Sequence, residues 1–302
     1  MKKILVTGGS GLLGSNIAKL ATSKFDVFAT YNKNKVSMKD VYFFQIDLTK
    51  KEELSKVEQT KPDFVIHCAA LTNVDYCEEH PNEAYNQNVL ASIHMAEVAE
   101  KVGAYLIHIS TDNVFDGEKG NYTEDDTPNP INVYGKTKLE AEQKVSLICS
   151  RSCIVRTNIY GWNKRNKFSL AEWMLSKLTN NEELPGLYDV FFSPILVNDL
   201  TKAFFKLLEK NYKGIIHIAG SEFCSKLDFA YMIAEIFGLN KNLIKPVSIR
   251  ELGLKAPRGK NTTLNVSKAE EILRECLPGV KQGLEEMKRL LGEGYVKELK
   301  HD

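Results

Sequence analysis

The chain has 302 residues, of which 43% are hydrophobic and 26% charged, a composition typical of globular proteins with a sizeable core. Forty basic and thirty-nine acidic residues leave a formal charge of +1, so no basic excess exists for a nucleic-acid partner. No apolar stretch reaches about 18 residues, and the six cysteines lack the paired spacing of a zinc site. We therefore expect a cytoplasmic protein with reduced thiols, no metal site and no membrane partner.

The first predicted strand, residues 2–7, runs into a glycine-rich turn and then into a helical pattern. Strand, glycine turn and helix in this order predict a dinucleotide site, because backbone N–H groups at the positive end of the helix approach a pyrophosphate. A glycine loop without a ligand is the alternative. The residues expected to bind the cofactor from this turn are Gly8, Gly11, Leu12, Leu13 and Gly14.

The second predicted strand, residues 26–30, ends beside Tyr31, Lys33 and Lys35. A site for an unphosphorylated dinucleotide usually has an acid at this strand end, and none is present here. The lysines stand where a 2′-phosphate would lie, so we favour NADP(H) over NAD(H), with Tyr31 and Lys33 in the site. A solvated loop whose lysines touch nothing is an equal alternative.

Two further strands are predicted at 41–46 and 63–67, with a helix at about 51–59 between them and another helix opening at Pro81. Asp47 is placed to accept a hydrogen bond from an adenine amino group, although a helix cap is equally expected. Small residues after the fourth strand let a cofactor lie close to the backbone. The residues past these strand ends that we expect to bind the cofactor are Asp47, Leu48, Cys68, Ala69 and Ala70.

The fifth predicted strand, residues 104–109, carries Ser110 and Thr111 at its carboxyl end. Ligands of open parallel sheets bind beyond the carboxyl ends of strands, so a hydroxyl at this position is suited to a site. His108, inside the strand, is expected to pack rather than to catalyse.

A helix is expected from about Pro130 to Lys144, with Tyr134 and Lys138 on one face because they are four residues apart. A free phenol has a pKa of about 10, and a neighbouring ammonium lowers it towards the working pH. Tyr134, Lys138 and Thr111 therefore form a candidate proton-supply set for reduction of a carbonyl group.

The second half predicts strands at 153–156 and 214–219, while residues 184–195 lack clear periodicity. Helices are expected at 168–178 and 225–237, another from about Ser267, and a helical pattern over 281–302. The expected fold is α/β, a Rossmann doubly wound parallel sheet with a smaller C-terminal substrate lobe. The predicted nucleotide domain comprises residues 1–156 plus about 196–219, and the lobe about 157–195 plus 220–302.

The glycine turn, the hydroxyl residues after the fifth strand and the Tyr134–Lys138 pair resemble the motifs of extended short-chain dehydrogenases/reductases, and among these most closely dTDP-4-dehydrorhamnose reductases. The similarity covers nearly the whole chain, and its matching segments are residues 7–14, 72–75 with Glu78, 110–117, 130–140, 155–157, 197–200 and 264–268. This resemblance implies NAD(P)H-dependent reduction of the 4-keto group of a nucleotide-linked 6-deoxysugar, a step in polysaccharide precursor biosynthesis.

By the same resemblance, Tyr134 donates the proton, Thr111 hydrogen-bonds the carbonyl oxygen, and Lys138 tunes Tyr134 and holds the nicotinamide ribose. The expected binding partner is the nucleotide-sugar substrate. Association of two copies of the chain into a homodimer is an open alternative. The residues that the resemblance assigns to substrate binding are Thr72, Val74, Asp112, Asn113 and, for the diphosphate, Arg258. For Arg258 a solvated surface position is an equal alternative.

The departures from the family pattern lie on the sugar side. Asn113 stands where relatives often carry an aromatic residue, and residues 192–195 also differ, so the sugar stays open. One alternative is an epimerase or dehydratase that retains its nicotinamide, although the acidic pair typical of dehydratases is incomplete at Asp112 and Asn113. Another is a non-catalytic NADP-binding regulatory subunit resembling methionine adenosyltransferase β. The presence of Thr111, Tyr134 and Lys138 favours an enzyme.

Overall fold

The computed structural model describes residues 1–301, and these form thirteen strands and twelve α-helices. The strands, β1 to β13 in chain order, are Lys3–Thr7, Asp26–Tyr31, Val41–Gln45, Phe64–His67, Tyr105–Ile109, Ser152–Arg156, Ile159–Tyr160, Leu184–Leu187, Phe191–Phe192, Ile195–Leu196, Gly214–His217, Cys224–Ser225 and Ile244–Val247. The helices, α1 to α12, are Leu12–Ala21, Ser55–Thr60, Val74–Glu79, Pro81–Tyr85, Ala91–Val102, Val133–Ile148, Leu170–Thr179, Val197–Lys210, Lys226–Phe237, Ser267–Leu273, Val280–Gly292 and Tyr295–His301.

Seven strands form one parallel sheet in the order β11-β6-β5-β4-β1-β2-β3. β1 lies between β2 and β4, with Val6 beside Ala29 and Ile66. The chain builds the sheet outwards from β1 in one direction and then in the other, so a crevice opens where the order reverses. The predicted doubly wound Rossmann sheet is confirmed, and its crevice lies beyond the carboxyl ends of β1 and β4.

Both faces of the sheet are covered by helices, which explains why its central strands are mostly apolar and buried. In β1, Ile4 and Val6 are buried in one core cluster, whereas Leu5 is buried in the other. Helices α1 and α8 pack together on the first face, and α2, α5 and α6 pack on the second. The alternation of side chains along each strand thus fills two cores with one strand.

The remaining strands form three short two-stranded sheets outside the main sheet: β7 with β10, β8 with β13, and β9 with β12. Helix α9 packs against α7 and α11 beside them. The C-terminal helix α12, in a segment expected to belong to the lobe, contacts α1, where the Tyr295 hydroxyl donates to Asn16 Oδ1 over 2.7 Å. Asp302, the last residue assigned to the lobe, lies outside the described residues.

Three helix predictions need correction. The helix expected from Pro130 begins at Val133, because Asn132 Oδ1 accepts from Gly135 N over 2.8 Å and fixes the first turn there. The helix expected at 51–59 is a 3-10 turn, Lys51–Glu53, followed by the short α2. The pattern over 281–302 is broken between α11 and α12, where Gly294 has a φ of 85°.

A buried ion pair holds α6 against the sheet. Glu142 on α6 accepts from Arg156 on β6, with Oε2 at 2.8 Å from Nη2, and both side chains are 2% exposed. The Ser110 hydroxyl, just past β5, donates to Glu142 Oε1. One carboxylate therefore joins two adjacent strand ends to the helix that carries Tyr134 and Lys138.

Replacing Glu142 by Gln should destabilise the protein, because it leaves the Arg156 guanidinium buried without a counter-charge. Breaking a buried pair in this way costs about 3–5 kcal/mol, which for a chain of this size lowers the thermal midpoint by on the order of 10 °C. Differential scanning calorimetry would measure the change. Glu140→Gln, on the same helix but only half-buried, is the control, and equal midpoints for the two variants would contradict the account.

Candidate active site

The glycine turn after β1 needs its glycines for two different reasons. Gly8 has a φ of 66°, and a Cβ there would lie 2.9 Å from Ala69 Cα in the loop after β4. A Cβ on Gly14 would lie 2.3 Å from the Gly8 carbonyl oxygen. Gly11 caps α1 with no side-chain hydrogen bond, so the positive end of this helix is left to face the crevice.

A cavity of about 660 Å³ occupies the crevice, a volume typical of cofactor sites. It brings together twelve of the expected cofactor residues and four of the expected substrate residues. The cofactor set that lines it is Gly8, Gly11, Leu12, Leu13, Gly14, Lys33, Leu48, Cys68, Ala69, Ala70, Tyr134 and Lys138. Thr111 lines it too, and the substrate set is Thr72, Val74, Asp112 and Asn113.

Three expected residues lie outside the lining of this cavity: Tyr31, Asp47 and Arg258. The Asp47 carboxylate closes its own turn, because Oδ1 accepts from Thr49 N at 3.1 Å and from Thr49 Oγ1 at 2.7 Å. Arg258 pairs with Asp75 at 3.1 Å and donates to the Ala256 carbonyl. These bonds are the local alternatives to the adenine and diphosphate contacts expected of Asp47 and Arg258.

Thr111 and Asp112 share a dense hydrogen-bond network at the end of β5. The Thr111 hydroxyl donates to Asp112 Oδ1 at 3.0 Å and accepts from the Asn113 backbone N–H at 3.2 Å. Asp112, 2% exposed, also accepts from the Asn113 side chain, and its Oδ2 accepts from Asn158 at 2.7 Å and Thr262 at 2.8 Å. Asp112 therefore lines the cavity with a carboxylate that four protein side chains already hold.

Sequence patterns had not indicated Asn158 or Thr262. Each lies in a segment without clear periodicity and reaches Asp112 from a distant part of the chain. The segment between β7 and α7 also brings Arg165, Lys167 and Phe168 to the cavity, and none of these was predicted as a site residue. The cluster of basic residues at 164–167 was the signal available for these.

Lys138 is buried beside two neutral histidines. Thr7 Oγ1 accepts from the backbone N–H groups of Cys68 and Ala69, so its own hydrogen is left for His67 Nδ1 at 2.7 Å. His67 therefore carries its proton on Nε2, and burial lowers its pKa to about 3.

His108 stacks on His67 with ring centroids 5.5 Å apart, and its Nε2 lies 3.4 Å from Lys138 Nζ. Burial, with Lys138 nearby, holds the pKa of His108 well below its usual value. The imidazole is therefore neutral, and Nε2 accepts from the Lys138 ammonium. His108 packs within β5 as expected, and it also gives Lys138 a hydrogen-bond acceptor.

Burial shifts the pKa values of both groups on α6, in opposite directions. It raises the pKa of Tyr134, and the hydrogen bond with Thr111 only partly opposes this. It lowers the pKa of Lys138 to about 8, which the Glu142 carboxylate partly offsets. The expectation that Lys138 brings the Tyr134 pKa down is not met here, because loss of hydration and the nearby Asp112 carboxylate both raise that pKa.

Residues 1–301 contain no group of three or more His, Cys, Asp or Glu residues placed to hold a metal ion. The helices within the same range include none with the length and apolarity required to cross a membrane.

Comparison with known proteins identifies the family. Residues 1–291 match the RmlD substrate binding domain family. The chain is 34% identical to a spore coat polysaccharide biosynthesis protein, SpsK, of Bacillus subtilis, covering 90% of this chain and 92% of that protein. It is also 31% identical to methionine adenosyltransferase 2 subunit beta of Xenopus tropicalis, over 90% of this chain and 82% of the relative.

Among solved structures, a dTDP-4-dehydrorhamnose reductase from Bacillus anthracis in complex with NADP superposes with a TM-score of 0.85 at 30% identity, covering 96% of this chain and 99% of that one. The sequence match and the superposition both extend across the sheet, the cavity and the short outer strands. The chain therefore belongs to the RmlD substrate-binding family, within the extended short-chain dehydrogenases/reductases, and is similar to dTDP-4-dehydrorhamnose reductases.

Proposed function

We propose that this protein reduces the C4 ketone of a nucleotide-linked 6-deoxysugar, with NADPH preferred as the hydride donor. The observation that carries the proposal is one cavity lined by the glycine turn on one side and by Thr111, Tyr134 and Lys138 on another. Reduction of a carbonyl group by a nicotinamide requires a nucleotide-binding site next to a proton donor. SpsK, named for polysaccharide biosynthesis, and the reductase fold both support it.

The residues of the cavity fit a dinucleotide. The first turn of α1 has no side-chain cap, and the Gly8 and Ala69 backbones approach too closely for a larger residue at Gly8. When bound, a reduced nicotinamide supplies the hydride. The glycine turn would hold the pyrophosphate, Lys33 the adenosine end, and Lys138 the ribose next to the reacting ring.

Tyr134 is suited to be the proton donor because burial keeps its phenol protonated at neutral pH. The phenolic O–H bond breaks as an O–H bond forms on the sugar C4 oxygen, while the hydride forms the new C4–H bond. The resulting phenolate is a buried anion, and the Lys138 ammonium four residues along α6 stabilises it until solvent returns a proton. For Thr111 to orient the carbonyl oxygen, its hydroxyl hydrogen would have to turn from Asp112 Oδ1 to the substrate.

Replacing Tyr134 by Phe should remove the proton donor and leave the cavity intact. We expect NADPH to bind as in the wild type, while kcat falls by about a hundredfold or more. Absorbance of the reduced cofactor with a 4-keto-6-deoxy nucleotide sugar would measure turnover. Tyr42→Phe, at a 66% exposed position on β3, is the control. Wild-type turnover by the Tyr134 variant would exclude this residue as the donor.

The two alternative functions give different results in the same assay. An epimerase or dehydratase would change the sugar without net oxidation of NADPH. The other alternative is a regulatory subunit, which is suggested by the similarity to methionine adenosyltransferase 2 subunit beta. Such a subunit would bind NADPH and change no sugar. Oxidation of one NADPH for each sugar consumed supports the reductase, and its absence with every 4-keto-6-deoxy sugar would refute the proposal.

Lys33→Glu should test the preference for NADPH. Lys33 lines the cavity and Lys35 does not, so Lys35→Glu is a control of equal charge two residues away. We expect Lys33→Glu to weaken NADPH by about tenfold more than NADH, because only NADPH carries the 2′-phosphate. Titration of each cofactor, followed by its fluorescence, would give both dissociation constants. Equal losses for the two cofactors would contradict a phosphate contact at Lys33.

The pKa of Lys138, about 8, predicts a pH dependence of cofactor binding. The ammonium is present below that pH and lost above it, so NADPH affinity should fall as pH rises through about 8. Lys138→Gln should bind NADPH roughly tenfold more weakly at neutral pH, without this dependence. Lys136→Gln, exposed on the same helix, should behave as the wild type. An unchanging wild-type affinity over this pH range would argue against the ribose contact.

A further inference from the structure

The segment between β7 and α7 is tied down at both ends beside the dinucleotide cavity. At one end the Trp162 carbonyl accepts from Asn16 Nδ2 on α1 over 2.9 Å, and the indole N–H donates to the Met287 carbonyl. At the other end Ser169 caps α7 in a reciprocal bond with Glu172. Residues 164–168, which we call the strap, are thus held next to the first turns of α1.

The strap brings two basic side chains to the cavity from the side of the substrate lobe. Arg165 is half-buried and Lys167 is exposed, and both line the same cavity as the glycine turn. Within residues 1–301 neither side chain forms an ion pair or a hydrogen bond. By contrast, Lys177 on the nearby helix α7 forms an ion pair with Glu182. Two unpaired cations facing one cavity indicate an anionic ligand.

The acidic residues of the cavity do not neutralise these cations. The lining includes two carboxylates, and both already accept hydrogen bonds from other residues: Asp112 from its four donors and Glu83 from the Tyr76 hydroxyl at 2.8 Å. The positive end of α1 adds to the field of Arg165 and Lys167. The strap side of the cavity therefore offers positive charge to a phosphate group.

We propose that Arg165 and Lys167 bind the pyrophosphate of the dinucleotide from the side opposite the glycine turn. The pyrophosphate is favoured over the 2′-phosphate because Trp162, two residues before the strap, is bonded to Asn16, one turn into the helix whose first N–H groups would face a pyrophosphate. Lys33, which lines the cavity after β2, would contact the adenosine end instead. The inference rests on the proposed function for its dinucleotide ligand.

The test is cofactor binding without sugar, using the full chain with Arg165→Gln, Lys167→Gln and the double substitution. Each single variant should weaken NADPH and NADH alike by about tenfold, equivalent to about 1.4 kcal/mol. The loss should shrink at high salt, because screening weakens exposed charge interactions. Lys144→Gln, which removes an exposed charge from α6 away from the cavity, should bind both cofactors as the wild type does.

Unchanged affinity for both cofactors in the double variant, with a wild-type unfolding midpoint, would overturn the proposal. A loss confined to NADPH would also overturn it, because the strap would then contact the 2′-phosphate. Neither result bears on the proposed reductase activity, because the turnover assay tests that activity separately. If the wild-type protein binds neither cofactor, the proposed function fails and the role of the strap fails with it.

Discussion

The buried carboxylate of Asp112 connects separate parts of the chain at the candidate active site. Its two oxygens accept from Thr111 and Asn113 at the end of β5, from Asn158 before β7, and from Thr262 in the C-terminal part of the chain. A buried carboxylate is costly unless such donors satisfy it, so the four contacts depend on one another. The Rossmann sheet and the segments beyond it are thereby joined directly beside the candidate active site.

Burial determines the electrostatics of this site more than ion pairing does. Burial raises the pKa of Tyr134 and lowers the pKa of Lys138, and both effects suit the proton donor that we propose for this site. Neutral His108 gives the Lys138 ammonium an acceptor without adding a second positive charge. One turn further along α6, Glu142 forms an ion pair with Arg156 on β6 that holds the helix against the sheet.

Local patterns in the sequence predicted the parts of the fold that depend on local periodicity. The parallel strands, the glycine turn and the helical spacing of Tyr134 and Lys138 all follow from neighbouring residues, as does the family resemblance. The short strands β8 to β10 escaped prediction because two-residue and four-residue segments carry too little pattern. Asn158 and Thr262 escaped because their contacts with Asp112 span 46 and 150 residues. The raised pKa of Tyr134 results from burial in the folded protein, and no local sequence pattern indicates that burial.

The central claim is that a hydride passes to C4 of the sugar while Tyr134 supplies the proton. Its most direct test is turnover with NADPH deuterated at the transferable position of the nicotinamide, followed by mass spectrometry and NMR of the sugar. The account predicts one deuterium at C4 of each product molecule and one equivalent of oxidised cofactor. A sugar product without deuterium at C4, or an isomerised sugar with the cofactor still reduced, would contradict it.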